Sequence, residues 1–284
     1  MRFLMLGLVS VLLLVLGFQS QVQNRQERHA GYTERAEVRH LTDSATVSAN
    51  DPRPLAQAIR ALSEEYAWLV DFEDLPYYSK YDLVDDTAPE WRSAHPAERG
   101  ATVVAGRAFQ SEFSEDPKTA APVEEERILN KVVSDYNNSG NPGKFIVRDE
   151  GDGRFAIVGI SVKDESGRDQ PISAILDTQI SVPTDTRDAL TTIEVILDAL
   201  SVKTKTQVGP GTMPLNALLG TKVTMGGQDT PARTLLLQTL SATDRKLCWY
   251  LYYDHDVNSY ALNLRPLVKA EYDASGNRKT VVVQ

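Results

Sequence analysis

The first twenty residues, MRFLMLGLVSVLLLVLGFQS, contain the longest apolar run of the chain, from Phe3 to Phe18. A secretory signal has a basic start and an apolar core of roughly 7–15 residues, whereas a membrane span needs roughly 20 apolar residues. The run lies between these lengths, so two interpretations stay open: a cleaved signal peptide or a retained single-pass membrane anchor. Both predict that the globular part works outside the cytoplasm, as a periplasmic, secreted or membrane-anchored body.

The chain has 284 residues, a net charge of −9 and one cysteine, Cys248. An acidic balance argues against nucleic acid as a partner, because phosphate binding needs clustered lysine and arginine. A single thiol cannot form an internal disulfide, so we expect stability to come from packing. Cys248 lies in the predicted strand LCWYLYYD, where a small, buried and unreactive side chain is expected. No cysteine stands directly after the apolar run, which excludes a bacterial lipoprotein anchor.

The remaining sequence predicts an α+β fold with antiparallel sheets covered by helices, preceded by one N-terminal apolar helix. Residues 21–44 are polar and without periodicity, which predicts a flexible tether. We expect two linked units, at 45–182 and 183–267, and a C-terminal hairpin or tail at 268–284. The boundary is placed near Val182-Pro183, where a strand is expected to give way to a helix.

Apolar residues at helical spacing predict four amphipathic helices. The first begins at Pro54, with Asp51 as its expected cap and Leu55, Ala58, Ile59 and Leu62 on its buried face. The other three are expected at 122–136, 185–200 and 231–240. Hairpins are predicted around Asp152-Gly153 and between KLCWYLYYD and SYALNLRPL.

Three predicted helices carry the same dipeptide near their ends, at Leu62-Ser63, Leu200-Ser201 and Leu240-Ser241. The segments PLAQAIRALSEEYAWLV (54–70) and TPARTLLLQTLSATDRKLCWYLYYD (230–254) agree further, and predict a repeated β-α-β-β unit. The alternative is that any capped helix between strands shares this pattern. The unit resembles the short N-terminal domain of secretins and TonB-dependent receptors. That family's outer-membrane barrel, secretin ring and TonB box are absent from this sequence. The resemblance implies a non-catalytic role in binding other envelope proteins.

The densest group of functional residue types lies between Asp71 and Arg99, where carboxylates stand beside aromatic residues. The candidate binding surface consists of Tyr77, Tyr78, Tyr81, Asp82, Trp91 and His95. Such residues can form a cation site or a sugar-stacking cleft, although their spacing matches no EF-hand loop. The alternative is an acidic surface loop whose aromatic residues anchor it to the core. Asp254-His255-Asp256 is expected to be a turn between two strands, and not a metal site.

No signature of a metalloprotease, serine hydrolase or phosphate-binding loop occurs in the sequence. We therefore expect no catalytic residues, no metal and no cofactor. The first hypothesis is a non-catalytic, exported envelope protein that binds another envelope protein. The alternative is a module that binds a small molecule or cell-wall glycan through residues 71–99. A hydrolase with paired carboxylates is a third possibility, because such pairs leave no sequence pattern.

Overall fold

The computed structural model describes residues 36–50, 52–114, 121–273, 275 and 277–283. The predicted N-terminal apolar helix and the predicted cap Asp51 lie outside these ranges. The helices of the described part are α1 (Pro54–Tyr66), α2 (Pro89–Ala94), α3 (Ala121–Asn138), α4 (Ala189–Thr204), α5 (Leu215–Leu219) and α6 (Ala232–Ser241), with a 3-10 turn at Ile175–Asp177. None of these helices has the length and hydrophobicity needed to cross a membrane.

The strands are β1 (Ala36–His40), β2 (Ser44–Ala49), β3 (Leu69–Glu73), β4 (Leu83–Asp85), β5 (Thr102–Val104), β6 (Phe109–Ser114), β7 (Lys144–Gly151), β8 (Arg154–Lys163), β9 (Asp169–Pro171), β10 (Gln179–Asp188), β11 (Gln207–Pro210), β12 (Lys222–Pro231), β13 (Leu247–Asp254), β14 (Ser259–Pro266), β15 (Val268–Tyr272) and β16 (Arg278–Val282). Helices and strands both contribute to the core, which confirms the mixed α and β content predicted from the sequence.

A seven-stranded sheet forms the centre of the fold, in the order β11-β14-β13-β3-β8-β7, with β9 also paired to β8. The sheet is mixed and not antiparallel as predicted, because β3 runs parallel to both β8 and β13, and β11 runs parallel to β14. Parallel neighbours need crossover connections. The connection from β3 to β8 contains α3. The other pairings, within the hairpins, are antiparallel.

The two faces of this sheet bury two separate apolar clusters. Along β8, Phe155 and Ile157 point to the side covered by α1 and α3, whereas Ala156 and Val158 point to the side covered by α4 and α6. This alternation follows from the period of two in a strand. Burial on both faces explains why β8 reads as a nearly continuous apolar run in the sequence.

Smaller sheets flank the centre: a three-stranded sheet β1-β2-β6 and the pairs β10-β12, β4-β5 and β15-β16. Strand β1 corrects the tether prediction for residues 36–40, which pair with β2 over their whole length, whereas residues 21–35 lie outside the described ranges. Ala36 and Val38 pack against the apolar cluster under α1, while Glu37 and Arg39 face outward and form an ion pair. Only two apolar residues mark this strand, so its sequence resembles a polar linker.

Strand β10 runs through the boundary that the sequence predicts at Val182-Pro183. It continues to Asp188, and α4 begins at Ala189 and not at residue 185. The extra residues are held in the strand by pairing with β12. Asp188 then caps the helix by accepting a hydrogen bond from the Thr191 amide at 2.8 Å. Strands from both sides of the predicted boundary belong to the same central sheet.

Three β-α-β segments recur along the chain: β2-α1-β3, β10-α4-β11 and β12-α6-β13. The serines of the first two Leu-Ser dipeptides have the same position, because the Ser63 and Ser201 hydroxyls donate hydrogen bonds to Trp68 and Val208 carbonyls of the return segments. Ser241 differs, since α6 ends at this residue. The resemblance to the secretin and TonB-receptor domain stays a prediction.

The predicted hairpins are confirmed. Asp152 and Gly153 form the turn between β7 and β8 with positive φ angles of 53° and 70°. The β13-β14 hairpin turns at residues 255–258, where the Asp254-His255-Asp256 segment was expected to turn. The C-terminal residues form the antiparallel β15-β16 hairpin. Cys248 is buried and free, as expected.

Candidate functional site: an arginine- and tyrosine-lined groove

The six residues predicted as a binding surface occupy different environments. Tyr77, Asp82 and Trp91 are buried, whereas Tyr78 and Tyr81 have 56% and 57% of their surface exposed. The three buried residues and the half-buried His95 therefore anchor the loop and do not present a ring to solvent.

The loop is fixed through several separate contacts. The rings of Trp91 and His95 stack on each other within α2 at 4.5 Å between centroids. Asp82 lies 3.4 Å from the Lys163 ammonium of β8. Tyr78 meets the ring of Tyr253 edge-on at 6.5 Å. The loop is thus fastened to the central sheet at more than one strand.

The turn after β13 also fastens this loop. Asp256 accepts a hydrogen bond from the Thr102 amide at 3.0 Å, and the His255 ring lies 3.0 Å from the Tyr77 carbonyl oxygen. These contacts occupy the side chains that a metal would need. Within the described ranges, no group of three or more histidine, cysteine or acidic side chains is arranged to hold a metal ion.

A buried network of ion pairs connects β3 to α6. The Arg233 guanidinium bonds to Glu73, lies 3.0 Å from Asp177 and 3.4 Å from Glu150, and is 4% exposed. Next to it Arg154 lies 2.7 Å from Asp71. Burial raises the pKa of Asp71 to about 6, although the Arg154 charge opposes this shift. Each carboxylate of the network has an arginine partner.

A polar groove of about 570 Å³ lies between α1 and β14, beside the central sheet. We call it the Arg–Tyr groove, and its defining residues are Arg53, Arg60, Tyr250, Tyr252, Asn263 and Arg265. Helix α1 forms one wall and the β13-β14 hairpin forms the floor. The volume lies within the range of ligand pockets in proteins.

The floor of the groove follows from strand periodicity. Tyr250 and Tyr252 are two apart on β13, so both rings point to the α1 side of the sheet. Their partners across the hairpin are Asn263 and Ala261, which share that face. Ala261 is small and only partly buried, so the groove stays open above it.

Two arginines of the groove lie against its tyrosine rings. The Arg53 guanidinium is 5.5 Å from the centre of the Tyr252 ring, and that of Arg265 is 6.0 Å from the centre of the Tyr250 ring. A cation over an aromatic face is attracted by the ring quadrupole. Arg53 is further fixed by Asp74, whose carboxylate accepts a bond from its Nε at 2.6 Å.

The Glu64 carboxylate of α1 binds two arginines of the groove, Arg60 and Arg265, and also Arg278 of β16. Its Oε1 accepts from Arg60 Nε at 3.0 Å and from Arg265 Nη2 at 3.4 Å, and its Oε2 accepts from Arg278 Nη2 at 3.0 Å. Burial alone would raise the pKa of Glu64, but the bonds from Arg278 and Arg60 outweigh it and lower the pKa. Glu64 is therefore ionised at neutral pH.

The sequence did not predict this groove. Arg53 directly precedes α1 and Arg60 lies on it, whereas Arg265 lies about 200 residues later on β14. No local spacing connects these positions. The sequence places Tyr250 and Tyr252 two residues apart in LCWYLYYD, which indicates that one face of this strand carries tyrosines. It does not indicate which helix packs beside that face.

Comparison with known proteins does not assign the chain to a family. The sequence matches no protein-family model, and neither a curated protein nor a solved structure shows significant similarity to it.

Proposed function

We propose that the protein is a non-catalytic binding module of the cell envelope that holds a segment of another protein in the Arg–Tyr groove. The observation that carries the proposal is the groove itself, where three arginines and two tyrosine rings line a single concavity. Arginine and tyrosine are the residue types that most often dominate binding energy at protein interfaces, because both combine a flat contact surface with polar groups.

The predicted export of the chain supports the same proposal. Its apolar N-terminal run is expected to act as a signal or anchor, so we expect the partner to be another envelope protein. The protein segment is favoured over a compact small molecule because the groove is an open trough beside a helix. An extended polypeptide can lie along such a trough and contact the exposed part of Tyr252, while Tyr250 is buried beneath the floor.

The experiment that tests this function blocks the groove without removing a core contact. Ala261→Trp places an indole on the groove floor, where the native side chain leaves open space. Gln110→Trp serves as the matched control, because Gln110 is an exposed strand residue on β6. Affinity capture from envelope extract with the three baits, followed by quantitative mass spectrometry, compares the proteins retained.

We expect at least one protein to be retained by the wild type and by Gln110→Trp but lost with Ala261→Trp. Melting curves establish that both variants are folded. Identical retention by all three baits would refute a role for the groove. Nuclease and peptidoglycan hydrolase treatment of the extract excludes capture through other polymers.

A second candidate function rests on Tyr78 and Tyr81, whose rings are more than half exposed. Exposed aromatic rings stack on sugars, so these two residues support a cell-wall glycan site on the 71–99 loop. Melting temperature in the presence of peptidoglycan fragments tests this candidate. A stabilisation that is absent from the Tyr78→Ser, Tyr81→Ser double variant would support it, and an unchanged melting temperature would remove it.

A further inference from the structure

We infer that Arg60 and Arg265 form a carboxylate subsite in the wall of the Arg–Tyr groove, which binds an acidic side chain of the partner's segment. The inference rests on the proposed function and names the chemistry that the groove recognises. Three observations support it: the local excess of positive charge, the exposure of Arg265, and the convergence of two guanidinium groups on one oxygen atom.

The first observation is a charge imbalance around Glu64. Three guanidinium groups, from Arg60, Arg265 and Arg278, contact this one carboxylate. The surrounding protein carries a net charge of −9, so positive charge is concentrated here against the overall balance. A carboxylate brought to these guanidinium groups is attracted to them by Coulomb forces, although Asp254 also lines the groove.

The second observation is that Arg265 keeps most of its donors available. Its side chain is 34% exposed, and its contact with Glu64 at 3.4 Å uses only Nη2. Among the residues that the structure describes, no acceptor contacts its Nε or Nη1. The guanidinium lies 6.0 Å from the centre of the Tyr250 ring, and an arginine guanidinium can bind a carboxylate through two parallel hydrogen bonds.

The third observation concerns the geometry of the two arginines. Arg60 Nε and Arg265 Nη2 both point to Oε1 of Glu64. Two guanidinium groups from different elements therefore converge within reach of a single carboxylate oxygen. Glu64 shows which chemical group the pair accepts, and it remains bonded to Arg278 through its other oxygen when Arg265 turns to a ligand.

The occupant is a carboxylate on an extended acidic segment of a protein. The groove lies open along α1 and has a tyrosine floor beside the arginines, which suits a polypeptide that places one acidic residue at the wall. Free phosphate satisfies the same two arginines but does not use the floor. The test below separates these two sources.

The test measures fluorescence anisotropy of fluorescein-labelled hexaglutamate with the full chain, kept in detergent because of its apolar N-terminal run. Hexaglutamine is the neutral control peptide. We expect hexaglutamate to bind and hexaglutamine not to bind, with affinity falling as salt is added because exposed charges are screened. Arg265→Gln and Arg60→Gln should each weaken binding at least tenfold.

Three further variants separate recognition from structural support. Glu64→Gln removes the competing internal carboxylate, so it should tighten hexaglutamate binding at least threefold, which a merely structural role would not produce. Arg39→Gln removes an exposed arginine of β1 and should leave the affinity unchanged. Arg265→Lys keeps the positive charge but loses the planar guanidinium group, so it should bind hexaglutamate with intermediate affinity. Melting curves establish that each variant is folded.

Several outcomes overturn the subsite. One is that the wild type and Arg265→Gln bind hexaglutamate with equal affinity. Another is that Glu64→Gln binds it more weakly than the wild type. The third is that millimolar phosphate displaces hexaglutamate as effectively as unlabelled peptide does. Capture from envelope extract distinguishes this failure from failure of the function. A partner lost with Ala261→Trp but retained by Arg265→Gln refutes only the subsite, whereas a partner retained by both refutes the groove itself.

Discussion

The Arg233 guanidinium lies 5.4 Å from the centre of the Trp249 ring, inside the protein and not at its surface. Arg233 is the second residue of α6, where the helix dipole disfavours a positive charge. Glu73, Glu150 and Asp177 surround it and compensate for this position. The arginine therefore connects α6 to the centre of the sheet through ionic and ring contacts together.

Replacement of this arginine should be strongly destabilising. Arg233→Met removes the cation and leaves Glu73 and Glu150 buried without their main partner, which should lower the free energy of unfolding by roughly 3–5 kcal/mol. Urea unfolding followed by tryptophan fluorescence measures the change. Arg168→Met removes an exposed ion pair with Asp164 and should leave the free energy of unfolding almost unchanged, because water screens this pair. Equal losses for the two variants would contradict this assignment.

Glu125 on α3 should destabilise the protein at alkaline pH. Its side chain is 6% exposed, and Oε1 has no hydrogen-bond partner in the part of the chain that the structure describes. Burial raises the pKa of Glu125 from 4.5 to about 8. Between these values the folded state keeps a proton that the unfolded state has lost, so stability falls as the pH rises through this window.

Glu125→Gln removes this dependence. We expect the variant and the wild type to be similarly stable at pH 4.5, and the variant to be more stable at pH 9 by roughly 1–3 kcal/mol, the cost of an unsatisfied buried polar group. Unfolding free energies at pH 4.5, 7 and 9 test the trend. A difference that does not grow with pH would show that the carboxylate is solvated.

A glycine at position 205 should stabilise the end of α4. Lys205 follows the helix with a φ of 58°, in the left-handed region that favours glycine. Lys205→Gly should therefore raise the free energy of unfolding by roughly 0.5–1 kcal/mol. Lys203→Gly, two residues earlier in the last turn, should lower it by about as much, because its backbone is helical. Thermal melts of the two variants should shift in opposite directions.

Cys248 should be inert in the folded protein. It is buried in β13, and burial raises the pKa of its thiol to about 12. The thiolate is the reactive form, so a thiol reagent such as DTNB should modify the protein only as fast as it unfolds. Labelling across a urea series should follow the unfolding transition. Fast stoichiometric labelling without denaturant would mean that the core around β13 opens locally.

The elements that the sequence predicted well share a strong local pattern. Helix α3 buries Ile128, Leu129, Val132 and Tyr136, as its helical spacing indicates. The hairpin at Asp152-Gly153 follows from the positive φ angles that this dipeptide tolerates. In both cases the neighbours that fix the conformation lie within a few residues.

The elements that the sequence missed depend on distant partners. The later part of β10 is a strand because β12 pairs with it, and its exposed Thr184, Asp185 and Thr186 show no apolar alternation. The Arg–Tyr groove combines α1 with a strand about 200 residues later in the chain. Tyr78 and Tyr81 are exposed as a binding surface requires, whereas Trp91 is buried because it packs within the loop.

The position of β3 has a consequence for the order in which the chain folds. Asp71 of β3 accepts a bond from the Trp249 amide of β13, and these residues are 178 positions apart. During synthesis or translocation from the N-terminus, β3 therefore has one open edge until almost the whole chain has emerged. The central sheet can therefore be completed only after β13 has been synthesised. Completion of β13 and β14 then acts as the closing step, after which the groove between α1 and β14 first exists.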